Sequence, residues 1–503
     1  MTIGRVAADD AVPLVRLQFA RPYCQWMLAG VAAITALRLV WLALQPADLF
    51  PDEAQYWVWS QQLALGYYSK PPLVAWLIAA TTGVFADSEF AVRLSAPLLH
   101  AGAAIFVYGI GARLYERRVG FWSAITYVSL PGVSVSAFII STDAALLFFW
   151  AVALYAFIRA REGEKWAWWL AVGLAAGLGL LSKYAMAYWI LSALGFVLVF
   201  RRERRFLPPL LAAIGVALLL YSPNIWWNWH NSFVSYLHTR DNAALNGPLF
   251  HPDAFSEFVL SQFGVFGPLL FGGLISIMAA RRVLAEPSVQ LLAVFALPTL
   301  TMMIAVSFLS RAHANWAAPT YVSATVLVVA WALQRGWRNL LTVSIALHLV
   351  AVGLLFTGRE ALAALGIELP AQYDPLRRVR GWHELGSEVG KVLATHPDLT
   401  LFADDREVLA ALIYYIRPHP LDAVKWKVTP RIQDQWDLTN RLGSRLGDSF
   451  LLVSEHELVN EMQPSFVAID RLQSIVIALG PGMARTYTLY IARNFKGYPP
   501  GRT

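Results

Sequence analysis

Eleven apolar runs divide the first 357 residues of this chain, at 24–45, 90–112, 118–137, 141–160, 166–182, 184–200, 206–222, 257–280, 289–309, 315–334 and 339–357. Most approach the roughly 20 apolar residues that carry a helix across a bilayer. Only 15% of the 503 residues are charged, where soluble domains carry roughly 25%, and mean hydropathy is +0.50. The expected fold class is therefore a polytopic α-helical membrane protein with about 11 spans plus interfacial helices. The segment 71–85 is apolar but short and opens on Pro71-Pro72, so it reads as interfacial or re-entrant. The first run is long and lacks a small-residue cleavage site, which makes it a span that also targets the chain.

Basic residues set the expected orientation. Arg113, Arg117, Arg118, Arg159, Arg161, Lys165, the Arg201-Arg202-Glu203-Arg204-Arg205 cluster, Arg281, Arg282, Arg335 and Arg338 fall on one side, together with Arg5, Arg16 and Arg21. The positive-inside rule makes that side, and the N-terminus, cytoplasmic. In a bacterium this is an inner-membrane protein with its C-terminus in the periplasm. The net charge of +7 follows from topology rather than from nucleic-acid binding, because the cations lie between apolar runs. Cys24 stands alone, which excludes an intrachain disulfide and a cysteine-based metal cluster.

The first domain is thus 1–357, with a first outer loop at 46–89. From 358 to 503 the composition becomes that of a soluble domain. Strands are expected at 399–403, 450–453, 474–478 and 486–491, with a helical pattern through Leu409, Leu412, Ile413 and Ile416. A periplasmic α/β domain that covers the site or helps bind an acceptor is the expectation.

The outer loops gather the polar residues. Pro51-Asp52-Glu53-Ala54-Gln55-Tyr56 brings two adjacent carboxylates to the membrane surface, and Tyr67-Tyr68-Ser69-Lys70-Pro71-Pro72 adds a cation to the same loop. Asp143 follows Ser141-Thr142, Lys183 precedes Tyr184, and Arg311-Ala312-His313-Ala314-Asn315-Trp316 completes the set. Lys70, Lys183, Arg240 and Arg311, with Arg93 at the end of the second run, are cations on the face that topology leaves poor in them. An anionic ligand at the outer leaflet gives them a reason to be there, although any one of them is equally well a snorkelling surface cation. Acids and cations together suit transfer of a group from a lipid phosphate: a carboxylate takes the proton of an acceptor hydroxyl or amine, and cations stabilise the departing phosphate. Tyrosine and tryptophan faces can hold a sugar or a polyprenyl chain, but also form interfacial belts, the blander reading of Trp226, Trp227 and Trp229. Asp52 and Glu53 have a bland reading too, since acids after a proline favour a helix N-terminus. Asp52 and Asp143 would also offer oxygen ligands to Mg²⁺ or Mn²⁺, though no ligand spacing in the sequence demonstrates such a site.

At these residues the chain resembles the GT-C polyprenyl-phosphate-sugar glycosyltransferases, in the bacterial branch that includes the aminoarabinose transferases of lipid A and relatives of protein O-mannosyltransferases. Pro51-Asp52-Glu53-Ala54-Gln55-Tyr56 resembles that family's Pro-Asp-Glu-x-x-Tyr element, Ser69-Lys70-Pro71 sits where aminoarabinose transferases carry Glu-Lys-Pro, and Thr142-Asp143 matches an acid at the start of a later span. The resemblance implies an inverting transferase at the periplasmic face, with a sugar on undecaprenyl or a similar polyprenyl phosphate as donor. The acceptor would be a lipid or glycan of the envelope (lipid A, lipopolysaccharide core, another glycolipid) or a protein. Asp52 would be the general base, with Asp143 and Glu53 in the catalytic set. Lys70 would hold the donor phosphate, helped by Lys183, Arg311 and Arg93. Tyr56, Tyr67, Tyr68, Tyr184, His313, Asn315 and Trp316 would contact substrate. Ser69 replaces the aminoarabinose family's acid, which makes a hexose or uronic acid donor plausible. The alternative is a flippase of lipid-linked sugars. Transporters bind at the bilayer midplane through polar intramembrane residues, and these runs hold few charges beyond Arg38.

Overall fold

The computed structural model describes residues 21–163, 165–242, 250–280, 282–427, 429, 431–456 and 459–499. Arg5, Arg16 and Arg281, which contribute to the charge asymmetry, lie outside them. Helices run in chain order as α1 (Arg21–Leu44), α2 (Pro51–Ser60), α3 (Leu73–Phe85), α4 (Glu89–Arg93), α5 (Ser95–Leu114), α6 (Arg117–Ser129), α7 (Pro131–Phe138), α8 (Thr142–Gly163) and α9 (Trp166–Ser182). They continue as α10 (Met186–Val199), α11 (Leu207–His230), α12 (Val234–Asn242), α13 (Pro252–Phe266), α14 (Pro268–Ala279), α15 (Pro287–Leu309), α16 (Thr320–Gln334) and α17 (Arg338–Ala364). Every one of the eleven apolar runs is helical. Among the described residues six helical stretches are long and apolar enough to cross a bilayer, and up to eight if each of two bent pairs counts as one span.

Both bends fall at prolines. The α6–α7 pair turns by 55° and α13–α14 by 112°, because Pro131 and Pro268 lack an N–H for the preceding turn and clash with its carbonyls. Arg38 of α1 answers the first bend: its guanidinium donates to the Val128 carbonyl at 2.5 Å and to Ser134 Oγ at 2.9 Å. The one charge noted within the spans thus caps a helix break. Helix α3 has 13 residues, about 20 Å of rise and short of the roughly 30 Å hydrocarbon core.

Small residues set the closest helix contacts. A Cβ on Gly120 would lie 2.6 Å from the Tyr108 carbonyl, and one on Gly111 would lie 2.9 Å from Gly120 Cα. Gly173 stands in the same relation to the Ala213 carbonyl, at 2.5 Å. Lipid supplies no hydrophobic drive for helix association, so this intimacy of backbones is a main source of packing energy.

After α17 the chain forms α18 (Trp382–Thr395) and α19 (Arg406–Tyr415), with strands β1 (Thr400–Ala403), β2 (Val424–Lys425), β3 (Phe450–Ser454), β4 (Phe466–Gly480) and β5 (Met483–Phe495). The strands make one mixed sheet in the order β2-β1-β3-β5-β4. β1 is parallel to β2 and β3, and β5 pairs antiparallel with β3 and β4. Strand alternation splits its side chains between two cores. Leu401, Ala403, Leu451 and Val453 share a core with α18, α19 and also α2, while Phe402, Phe450 and Leu452 pack with Trp426 and Phe466 on the other face. Helix α2 is therefore sandwiched between the bundle and this sheet layer, and it carries Asp52.

Replacing Gly120 by leucine should force α5 and α6 apart and cost about 1–3 kcal/mol, the usual penalty of overpacking. Yield and melting temperature of detergent-purified protein would measure it, and Gly83→Leu, where nothing lies within 4 Å of the added carbon, is the control that should leave both unchanged.

Candidate active site

Helix α2 starts where the sequence places a proline at its first turn, and the Glu53 carboxylate reaches back to accept the Phe50 N–H at 2.9 Å. That carboxylate is 1% exposed. It also accepts the Ile140 N–H at 2.8 Å and meets the Arg93 guanidinium in a fork of 2.7–3.2 Å bonds. Arg93, fully buried, also donates to the carbonyls of Ala47 and Asp48 at 3.0 and 2.6 Å. Two sequence expectations are corrected here. Glu53 has no free lone pair directed at a substrate, and Arg93, with its side chain 0% exposed, is closed off from a phosphate. Burying either charge without the other is prohibitive, so the two are spent on each other.

Asp52, one residue earlier, is turned the other way and 44% exposed. Its Oδ1 accepts from Arg406 Nη1 at 2.8 Å, and the same nitrogen donates to Gln55 Oε1 at 2.6 Å. Arg406 opens α19, whose N-terminus is capped by Asp405 accepting the N–H groups of Glu407 and Val408 at 2.7 and 3.0 Å. The C-terminal layer, expected to cover the site or help bind an acceptor, contributes this cation to Asp52. Its only signal in the sequence is an arginine just behind an N-capping aspartate after a short strand, a pattern too common to single out.

The second acid lies in the first turn of α8. Asp143 is nearly buried, and its two oxygens are taken separately by Lys183 Nζ at 2.6 Å and Asn315 Nδ2 at 2.7 Å. Lys183 sits in the extended break between α9 and α10, and Asn315 in the 3₁₀ turn Ala314–Ala317. The 311–316 segment is thereby docked on the site. His313 stacks edge-on against Trp316 with centroids 5.2 Å apart. Partial burial, then the charges of Arg311, Lys183 and Lys70, hold its imidazole below the ordinary range and neutral. Arg311 is exposed and makes no ion pair among the described residues.

Lys70 also has no carboxylate within ion-pairing distance among the described residues. Burial and the neighbouring Lys183 charge push its ammonium below the ordinary lysine range, against a smaller pull from Asp52 and Asp143. Tyr56 is held above its usual range by burial and by the Asp52 carboxylate, so its hydroxyl stays protonated. His238 of α12 is brought down to about 4 by burial and by Lys70 and Arg406, and its ring packs on Tyr68 at 4.8 Å. Asp52, Asp143, Lys70, Lys183 and Arg406 thus form one electrostatic unit, since the charges of the other four all act on Lys70.

Other expectations fare unevenly. Tyr67 is a structural residue: 2% exposed, it stacks flat on Trp59 at 4.6 Å and its hydroxyl donates to the Trp59 carbonyl at 3.0 Å. Tyr184 packs its ring on Tyr236 at 5.1 Å beside the lysine it follows. A divalent cation does not fit the Asp52–Asp143 pair as it stands, because each carboxylate is already engaged by a cation. Among the described residues no group of three or more histidine, cysteine, aspartate or glutamate side chains comes together elsewhere.

Residues 69–227 match the family model described as dolichyl-phosphate-mannose-protein mannosyltransferase. Over 389 residues the chain is 32% identical to the lipid A galacturonosyltransferase RgtD of Rhizobium johnstonii, covering 77% of this chain and 82% of that protein. The chain belongs to the GT-C glycosyltransferases. A shorter match, 28% identical over 216 residues, links it to an undecaprenyl phosphate-alpha-4-amino-4-deoxy-L-arabinose arabinosyl transferase of Pseudomonas savastanoi, covering 36% of this chain and 39% of that one. Its fold is that of ArnT from Cupriavidus metallidurans, solved bound to undecaprenyl phosphate. The TM-score is 0.63 at 16% identity, over 93% of this chain and 98% of that one. The overall fold is therefore shared at an identity of only 16%.

Removing one half of the buried pair should be severe. Glu53→Gln or Arg93→Met alone is expected to cost about 3–5 kcal/mol by leaving an uncompensated buried charge, seen as loss of monodisperse protein on size exclusion. The double variant should recover part of that loss.

Proposed function

We propose that this protein is an inverting glycosyltransferase that moves a sugar from a polyprenyl phosphate to lipid A or another lipopolysaccharide acceptor at the outer face of the bacterial inner membrane. The observation that carries this reading is the half-exposed Asp52 carboxylate, held by Arg406, within the electrostatic reach of a Lys70 that has no ion-paired acid among the described residues. Family membership and the named activities of its relatives support it.

In this reading Asp52 takes the proton of the acceptor hydroxyl as that oxygen attacks the anomeric carbon, and the bond from that carbon to the phosphate oxygen breaks. One displacement inverts the anomeric centre. Charge then grows on the departing polyprenyl phosphate, which Lys70 receives with Lys183 beside it. Asp143 and Asn315 fix Lys183, so they position a cation rather than touch the reacting atoms. Arg406 orients the Asp52 carboxylate and ties it to the C-terminal layer. The donor sugar is a uronic acid or a hexose: RgtD is named a galacturonosyltransferase, and Ser69 replaces the acid seen beside the lysine of aminoarabinose transferases. The N-terminus is cytoplasmic in this reading. Helix α8 carries Asp143 at one end and, at the other, Arg161 paired with Glu203 at 2.7 Å, so the site and the basic clusters occupy opposite membrane faces.

Purified protein in detergent, given a panel of polyprenyl-phosphate sugars and lipid A, should transfer one sugar. Asp52→Asn should lower the rate by about 10²–10⁴-fold, the usual worth of a general base, with donor binding retained; undiminished transfer by that variant would sink the assignment.

The pH dependence follows from Lys70. A lysine is charged below its pKa, and this pKa is depressed, so phosphate binding is full at low pH and lost as pH rises through the lowered value. Donor KM should climb on the alkaline side earlier than an ordinary lysine allows. Lys70→Arg keeps the charge and should flatten that limb; an unchanged profile would count against Lys70 as the phosphate ligand.

A further inference from the structure

A cavity of about 260 Å³ opens at the far end of α2 from Asp52, between that helix, the end of α11 and the 421–440 segment of the C-terminal layer. Nine residues separate Asp52 from Gln61 at its rim, about 13 Å along the helix. Its lining combines aromatic rings with neutral amides, among them Trp59, Trp227, Gln62, Asn231 and Gln435, and includes no charged side chain. That contrasts with the charged cluster of Lys70, Lys183, Asp52, Asp143 and Arg406.

The wall is pre-organised. Gln435 accepts the Tyr68 N–H through Oε1 at 2.8 Å, which fixes the amide and leaves its Nε2 as a free donor. Trp227 lies against Gly66, where an added Cβ would meet its ring at 2.6 Å, so only glycine lets the indole seat there. Flat aromatic faces beside amide donors and acceptors, without charge, match an uncharged sugar ring: its C–H face packs on indole and its hydroxyls both give and accept hydrogen bonds. The volume, about 260 Å³, lies just below the roughly 300–1,000 Å³ of drug-sized ligand pockets, so it takes one ring and not a whole glycolipid.

We infer that this cavity is a subsite for a neutral sugar ring of the acceptor, holding the glycan next to the residue that receives the transferred sugar. The inference rests on the glycosyltransferase reading. A ring of the donor would share the chemistry, but the donor's phosphate is drawn to Lys70 and Lys183.

Two variants test it in the full-length protein. Gln62 is exposed and its side chain makes no hydrogen bond among the described residues, so Gln62→Trp fills the cavity without removing a support. Gln435→Glu keeps the oxygen that Tyr68 needs and replaces the free donor by an acceptor. Saturation-transfer NMR with N,N′-diacetylchitobiose, an uncharged disaccharide, reads binding whether or not transfer occurs. Wild type should show contact with the disaccharide, and Gln62→Trp should lose it. In the transfer assay the KM for lipid A should rise about tenfold or more in both variants, with donor KM and saturated rate within twofold. No disaccharide contact in wild type, or contact unchanged in Gln62→Trp, overturns the subsite. A rise in donor KM alone overturns its assignment to the acceptor. Contact with the sugar but no transfer by wild type from any donor would leave the subsite standing and remove the transferase reading.

Discussion

The ion pair between Glu53 and Arg93 is the point from which the rest of the site is hung. One carboxylate binds the start of α2, the backbone at Ile140 just before α8, and an arginine that in turn holds the carbonyls of Ala47 and Asp48. Three chain segments distant in sequence meet at a single buried charge. Because Asp52 is the neighbour of Glu53, and Asp143 follows Ile140 by three residues, the pair also fixes how far apart the two remaining acids stand. A pair this deep is weak as a source of net stability, since desolvation offsets much of the attraction. Its effect is on uniqueness: no other partner in that position would neutralise either group.

The second tier of control comes from the C-terminal layer. Asp48 accepts the N–H of Trp382 at 2.8 Å at the start of α18, and the Leu49 N–H is taken by the Tyr415 hydroxyl at 2.6 Å. The loop that leads into α2 is thus clamped from both sides, by Arg93 below and by α18 and α19 above. Arg406 then reaches Asp52. A layer whose sequence carries no catalytic signature supplies the cation that orients the candidate base, so docking of the sheet layer and assembly of the site are one event. The two ends of α2 differ in character: Asp52 and its cations at the start, neutral amides and indoles lining the cavity at the other end.

Much of this was legible in order and little of it in distance. Run lengths near 20 residues read directly as helices because a bilayer leaves a chain few other ways to satisfy its backbone, and alternating strands in the last third read as a sheet for the same local reason. Asp52, Lys70, Asp143 and Lys183 stood out because charge at a membrane surface is costly unless it has a task. The same logic overreached at Arg93 and Glu53, where the task was to neutralise each other, and at Tyr67, whose ring and hydroxyl are used by its own loop. Sequence order offers no means of separating Asp52 from Glu53: adjacent helix residues point about 100° apart, and only the packed neighbours say which way is in.

What the chain determined by itself was therefore local: which stretches are helices or strands, and which residues are charged where lipid disfavours charge. The tertiary structure alone decided which charges are spent on one another, that Arg406 comes back across 354 residues of chain to meet Asp52, and that an uncharged cavity lies at the far end of α2. The physical reason is range. Helix and strand formation depend on neighbours a few positions away, whereas an ion pair depends on two side chains brought within about 4 Å, a distance that no spacing along the sequence records.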